Sequence, residues 1–127
     1  MSLIAIWIDH KKADIFKFTT KGIKKEEILC KFPDHHTHRI DTCEEQRHEK
    51  HIFNAIVPKL ADAEEILILG PGLTKNHLQT YLQKITSLKH KVVGCEITDH
   101  PTENQLLSLA SRFFNTERLS SFVEVKK

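Results

Sequence analysis

Cysteine is scarce: Cys30, Cys43 and Cys95 are odd in number, far apart, and include no Cys-x-x-Cys. That excludes a disulfide scaffold and fits a reducing compartment. Glycine and proline number four each, and no two glycines are adjacent. With so few of either there is no low-complexity tract, and no site can rely on a Gly-Gly pair. There is one Trp and one Tyr, and the seven Phe fall mostly at core-like positions. A stacking platform for single-stranded RNA is therefore not evident. Charge of one sign is also missing: the net charge is +2 with His neutral and the pI is about 8.4. Dedicated DNA or RNA domains usually exceed a pI of roughly 9, so no DNA partner is expected. No run approaches the roughly 20 apolar residues that cross a bilayer. Leu3–Ile8 is apolar but short, has no basic leader and stops at Asp9. It reads as a buried strand rather than a secretory signal, and a cytoplasmic protein without a membrane partner is expected.

The 127 residues suit one domain over 1–127, with apolar content of 39% giving enough material for a core. Ser2–Ile8, Ala13–Thr19 and Ile23–Phe32 read as three strands joined by turns of a few residues, hence antiparallel. In the second, Ala13 and Ile15 share one face, and Phe16 and Phe18 the other. Residues Pro33–Arg47 hold one aliphatic residue and no period, predicting a long loop. Helical spacing starts near Glu49 with Ile52, Phe53, Ile56, Val57, Leu60 and Ala61, and Pro58 should kink or end that helix. Glu65–Leu69 is a short buried strand, and Gly70-Pro71-Gly72 turns out of it into a helix that Thr74 can cap. Lys91–Ile97 is a further strand. A last helix follows, capped by Asp99 or by Thr102 with Gln105, and striped by Leu106, Leu107, Ala110, Phe113 and Phe114. The tail from Asn115 has no assigned conformation. The order β-β-β-α-β-α-β-α predicts an α/β fold: a mixed five-stranded sheet with helices packed on it, as in ribonuclease-H-like domains.

Three short motifs add specificity: Trp7-Ile8-Asp9-His10, then Ile66–Gly72 with Lys75, then Asp99-His100-Pro101-Thr102 running into Gln105-Leu106 and Arg112-Phe113-Phe114. In these the chain resembles the small bacterial translational machinery proteins, relatives of the middle domain of archaeo-eukaryotic release factors. The resemblance spans almost the whole chain in order. It implies the translational machinery components fold, a ribonuclease-H variant, and assigns Trp7, Asp9, His10, Pro71, Asp99, His100, Pro101 and Thr102 a structural role. In release factors the loop between the third strand and the first helix carries a Gly-Gly-Gln that promotes peptidyl-tRNA hydrolysis. Here that place is Pro33–Arg47, where Gln46 follows Glu44 and Glu45 and no Gly-Gly exists. The resemblance therefore implies a ribosome- or RNA-binding module without release activity.

Several residues invite chemistry. His35, His36, His38, Cys43, His48 and His51 could supply zinc ligands, yet their spacing matches no diagnostic motif, so no cofactor is expected and a solvated polar loop is the simpler reading. Gly70, Gly72 and Lys75 could hold an anion at a helix N-terminus, although the spacing is not that of a P-loop. Lys11, Lys12, Arg39, Arg47 and Lys50, with Lys24 and Lys25, read as turn or loop cations able to meet phosphates; Asp14, Glu26, Glu27, Glu44 and Glu45 dilute that field. Asp9 with Glu65, Glu96 and Asp99 could serve a two-metal nuclease only if they converge. A metal-binding or pH-sensing protein acting through the His-rich loop is the other alternative. No catalytic residue is assigned, and monomer and homodimer are both compatible with the sequence.

Overall fold

A computed structural model describes residues 2–19, 22–29 and 42–114; for Ser2 and residues 42–48 it describes the backbone alone. The strands are β1 (Ser2–Ile8), β2 (Lys12–Thr19), β3 (Gly22–Leu29), β4 (Ala63–Gly70) and β5 (Val92–Ile97). The helices are α1 (Thr42–Ile56), α2 (Thr74–Gln83) and α3 (Glu103–Phe113). The sheet runs β3-β2-β1-β4-β5, with β1, β2 and β3 antiparallel in turn and β4 and β5 parallel to β1. This is the expected mixed five-stranded α/β architecture.

The centre of the sheet explains the continuous apolar run of β1. Ile4, Ile6 and Ile8 join Ala13, Ile15, Ile66 and Ile68 under Ile52, Phe53 and Ile56 of α1 and Leu78 and Leu82 of α2. Leu3, Ala5 and Trp7 join Phe16, Phe18, Leu67 and Leu69 under Leu106 and Ala110 of α3, with Phe114 just beyond it. A strand covered on both faces must be apolar at every position. Each such side chain withdrawn from water contributes about 1.5–3 kcal/mol before entropy is counted. The outer strand β3 is mostly exposed and reads Lys24-Lys25-Glu26-Glu27 at its centre. Charge there discourages edge-to-edge association. Gly22, at φ +119°, sits where an L side chain would be strained.

The expected boundaries shift at defined places. Helix α1 runs from Thr42, nearly three turns before the apolar stripe begins at Ile52, so residues 42–47 of the expected Pro33–Arg47 loop are helical. Glu44, Glu45, Gln46 and Arg47 carry helix propensity but no apolar period, so periodicity could not reveal them. Of the strand expected over Ile23–Phe32, residues 23–29 pair with β2, and Cys30, Lys31 and Phe32 lie outside the described residues. Pro58 ends the α-helix as expected, and the chain continues as a 3-10 turn, Val57–Leu60, that keeps Leu60 buried. Thr74 does not cap α2: Leu73 is the N-cap, without a side-chain bond, and Thr74 is buried behind it. Asp99 does not cap α3 either. Thr102 accepts from the Gln105 backbone N–H while the Gln105 side chain accepts from the Thr102 N–H, so the capping box is the alternative realised. Among the described residues, no helix is long and apolar enough to cross a membrane.

Candidate functional site

The carboxyl ends of β1, β3, β4 and β5 and the start of β2 share one edge of the sheet. In open α/β sheets, ligands bind beyond the carboxyl ends of the parallel strands. All three sequence motifs meet here. Asp9 Oδ1 accepts from the backbone N–H of Lys11 and Lys12, at 2.8 and 2.9 Å, and locks the β1–β2 turn. Gly70 packs so tightly on β1 that a Cβ would stand 2.3 Å from the Ile8 carbonyl oxygen. The Thr98 N–H donates to the Gly70 carbonyl at 2.9 Å, and the Trp7 indole N–H donates to the Thr98 carbonyl at 3.3 Å. Pro101 is buried, while His10, Pro71, Gly72 and Asp99 are exposed.

At the heart of this edge lies a charge the sequence reading put on the surface. Asp14 is fully buried. It pairs directly with Trp7 across the β1–β2 ladder and so points to the α3 face, beside Phe16 and Phe18 in register. His100 Nε2 is 2.5 Å from Asp14 Oδ2, and its ring packs tilted against Trp7, with centroids 4.9 Å apart and planes at 59°. Lys12 Nζ stands 3.5 Å and Lys25 Nζ 3.9 Å from the same oxygen. Lys12 also lies 5.8 Å from the Trp7 ring centroid and donates to Glu27 at 3.2 Å. That bond to Glu27, reinforced by the charge of Asp14, pushes the Lys12 ammonium above its usual range. Asp14 Oδ1 has no hydrogen-bond partner among the described residues. A buried carboxylate survives only with such partners. The cluster ties β1, β2 and the β5–α3 turn together.

The other predicted residues divide. Lys75 is not an open phosphate ligand: it is 5% exposed, and its ammonium donates to the Gly72 carbonyl at 2.5 Å and to Asn76 Oδ1 at 3.0 Å. Lys11, Lys50 and His51 are exposed. Lys24 and Lys25 belong to β3 rather than to a turn. His35, His36, His38 and Arg39 lie outside the described residues; Cys43, Arg47 and His48 sit on α1 by backbone only. The candidate nuclease carboxylates do not gather. Asp9 is spent on its turn, Glu65 starts β4 at the far end from Gly70, and Glu96 lies 3.9 Å from Arg112. Among the described residues no group of three or more His, Cys, Asp or Glu side chains could hold a metal ion.

Cys95 lies behind this edge, partly packed against the α1/α2 side of the core. Burial pushes its thiol up, against the opposing pull of the Lys75 ammonium, and Glu96 adds to the rise. Because the thiolate is the nucleophile, alkylation of a Cys30→Ser/Cys43→Ser protein should be several-fold slower than that of free cysteine near pH 8. The rate should still climb at a pH where a free thiol has levelled off. A rate that levels off early would show the thiol to be ordinary.

No family model matches the chain. The pelota homologue of Methanococcus vannielii is 30% identical over 103 residues, which is 80% of this chain and 28% of that protein. That of Methanocaldococcus jannaschii is 27% identical over 94 residues, 72% of this chain and 26% of that protein. The chain is thus related to one part of the archaeal pelota proteins. It spans under a third of either relative's length. Solved structures share the fold. Thermoplasma acidophilum Pelota superposes with a TM-score of 0.63 at 18% identity, covering 94% of this chain and 36% of that one. The archaeal translation termination factor aRF1 gives 0.61 at 15%, covering 95% and 36%. Dom34 of S. cerevisiae, described as a translation termination-like factor involved in RNA quality control pathways and interacting with Hbs1, gives 0.57 at 14%, covering 94% and 34%.

Proposed function

We propose that this chain is a non-catalytic binding module of the translation apparatus, docking on the ribosome through ribosomal RNA, tRNA or a ribosomal protein. Membership of the small bacterial translational machinery family and a cytoplasmic location are part of the same proposal. One observation carries it: a chain related over 80% of its length to a pelota homologue has no Gly-Gly-Gln in its β3–α1 connection. Without adjacent glycines the backbone freedom that such a tripeptide offers is missing, so peptidyl-tRNA hydrolysis is not expected. The motif residues support the same reading. Asp9, Gly70, Lys75, His100 and Thr102 are engaged in holding turns together rather than aimed at a reacting atom. The nuclease alternative has no convergent carboxylates among the described residues to support it. Sucrose-gradient fractionation of a lysate at moderate salt tests the proposal. The protein is expected to travel with subunits or ribosomes, and finding all of it at the top of the gradient would contradict the reading.

A further inference from the structure

A second concavity lies on the α1/α2 side of the sheet, away from the motif edge. Lys17 of β2 and Lys24 of β3 are directly opposed in the ladder. Like charges so placed destabilise a sheet, and the fold gives no reason to keep both. Lys17 Nζ reaches Asp62 at 3.1 Å, and Lys59, on the 3-10 turn, reaches Glu26 at 3.0 Å. Lys24 has no ion pair or hydrogen bond to any described residue. The hydrogen bond from Lys17 holds the Asp62 carboxyl below its usual range. Both ion pairs are exposed, and such pairs are weak and exchange readily. These groups line a pocket of about 500 Å³ whose floor is Ile4 and Ile15. Lys17, Lys24 and Lys59 face Glu26 and Asp62 there, a surplus of one positive charge, while Lys25 borders the pocket with its ammonium 3.9 Å from Asp14 on the other face.

We infer that this pocket seats consecutive phosphates of an RNA backbone, with Lys17, Lys24 and Lys59 as the contacts. The inference rests on the binding-module reading and names a surface for it. Three ammonium groups spread over two strands and a turn suit a run of phosphodiesters better than a single small anion, and the pocket is wider than one phosphate needs. Lys24, unpaired among the described residues, binds at once, while Lys17 and Lys59 exchange a carboxylate for a phosphate. The fold thus keeps an unfavourable lysine pair for the sake of a partner.

The test uses the full chain and a fluorescein-labelled single-stranded 20-mer RNA, with anisotropy followed over a KCl series. The K17Q/K24Q/K59Q protein is expected to bind at least tenfold more weakly at low salt, with its salt exponent reduced by about two, since each phosphate contact to a single strand contributes about 0.7. K84Q/K89Q/K91Q removes equal charge elsewhere and should cost less than about threefold. Equal weakening by both triples, or wild-type affinity of the pocket triple, would overturn the inference. So would saturable binding of AMP or inorganic phosphate by a wild-type chain that ignores RNA. Ribosome sedimentation separates the two levels. A wild-type chain that fails to sediment defeats the binding-module reading, whereas a wild-type chain and pocket triple that sediment alike, with equal RNA affinity, defeat only the pocket. Circular dichroism guards against misfolding, and removing the opposed lysines should leave the fold intact.

Discussion

Gly70→Ala should lower the unfolding free energy by about 3 kcal/mol, the upper end of what overpacking a core site costs. The added methyl would stand 2.3 Å from the Ile8 carbonyl oxygen, a backbone atom at the end of β1 just past the last β1–β4 pair, Trp7 with Leu69. A flexible side chain could swing away, but a main-chain carbonyl at the strand end cannot. Relief requires β4 to move from β1, and Gly70 also supplies the carbonyl that accepts from Thr98. The strain therefore reaches the β5–α3 turn. For a chain of this size a change of that order shifts the thermal midpoint by roughly 10 °C. Gly72→Ala is the matched control, because nothing lies within 4 Å of a Cβ there, and it should be nearly silent. Thermal melts of the two variants check the claim, and equal midpoints would contradict the close packing of β4 on β1.

Asp14→Ala should cost about 2 kcal/mol. Breaking a fully buried ion pair typically costs 3–5 kcal/mol. Here the side chains of His100 and Lys12 are 42% and 28% exposed, so both can rehydrate when the carboxylate is gone, and the loss is smaller. Asp14→Asn preserves the shape and one acceptor and should cost about half as much. The effect should also be local. With Asp14 removed, the β5–α3 turn loses its tie to β2, and amides from Thr98 to Thr102 should exchange with solvent faster than those of β1. A double-mutant cycle between Asp14 and His100 should give a coupling of about 1 kcal/mol or more. Additive losses would mean that the two groups are neighbours without being partners.

The sheet was legible because its signals are local. β1 is apolar at each position from Leu3 to Ile8, β2 alternates, and Pro58 and Gly70-Pro71-Gly72 punctuate the elements between them. Strand parity could also have exposed the buried acid. Asp14 falls on the face of Phe16 and Phe18, but a lone Asp two residues from a Lys-rich turn reads as surface until its histidine partner, 86 positions later, is known. Lys75 hid in a similar way. It precedes Leu78 and Leu82 at helical spacing and shares their buried stripe, yet its place after a glycine turn suggests a phosphate ligand. The first turns of α1 carry no apolar stripe at all, so only propensity marks them. The Lys17–Lys24 pocket depends on β2–β3 register, which composition cannot give.

Binding without hydrolysis is best tested on purified ribosomes stalled with labelled peptidyl-tRNA. The chain is added in excess, the mixture is spun through a sucrose cushion, and the pellet is analysed for bound protein and intact ester. The account predicts that the chain pellets with the ribosomes and that the peptidyl-tRNA stays whole. A chain left in the supernatant, or a peptide released at a rate above the spontaneous one, would contradict it.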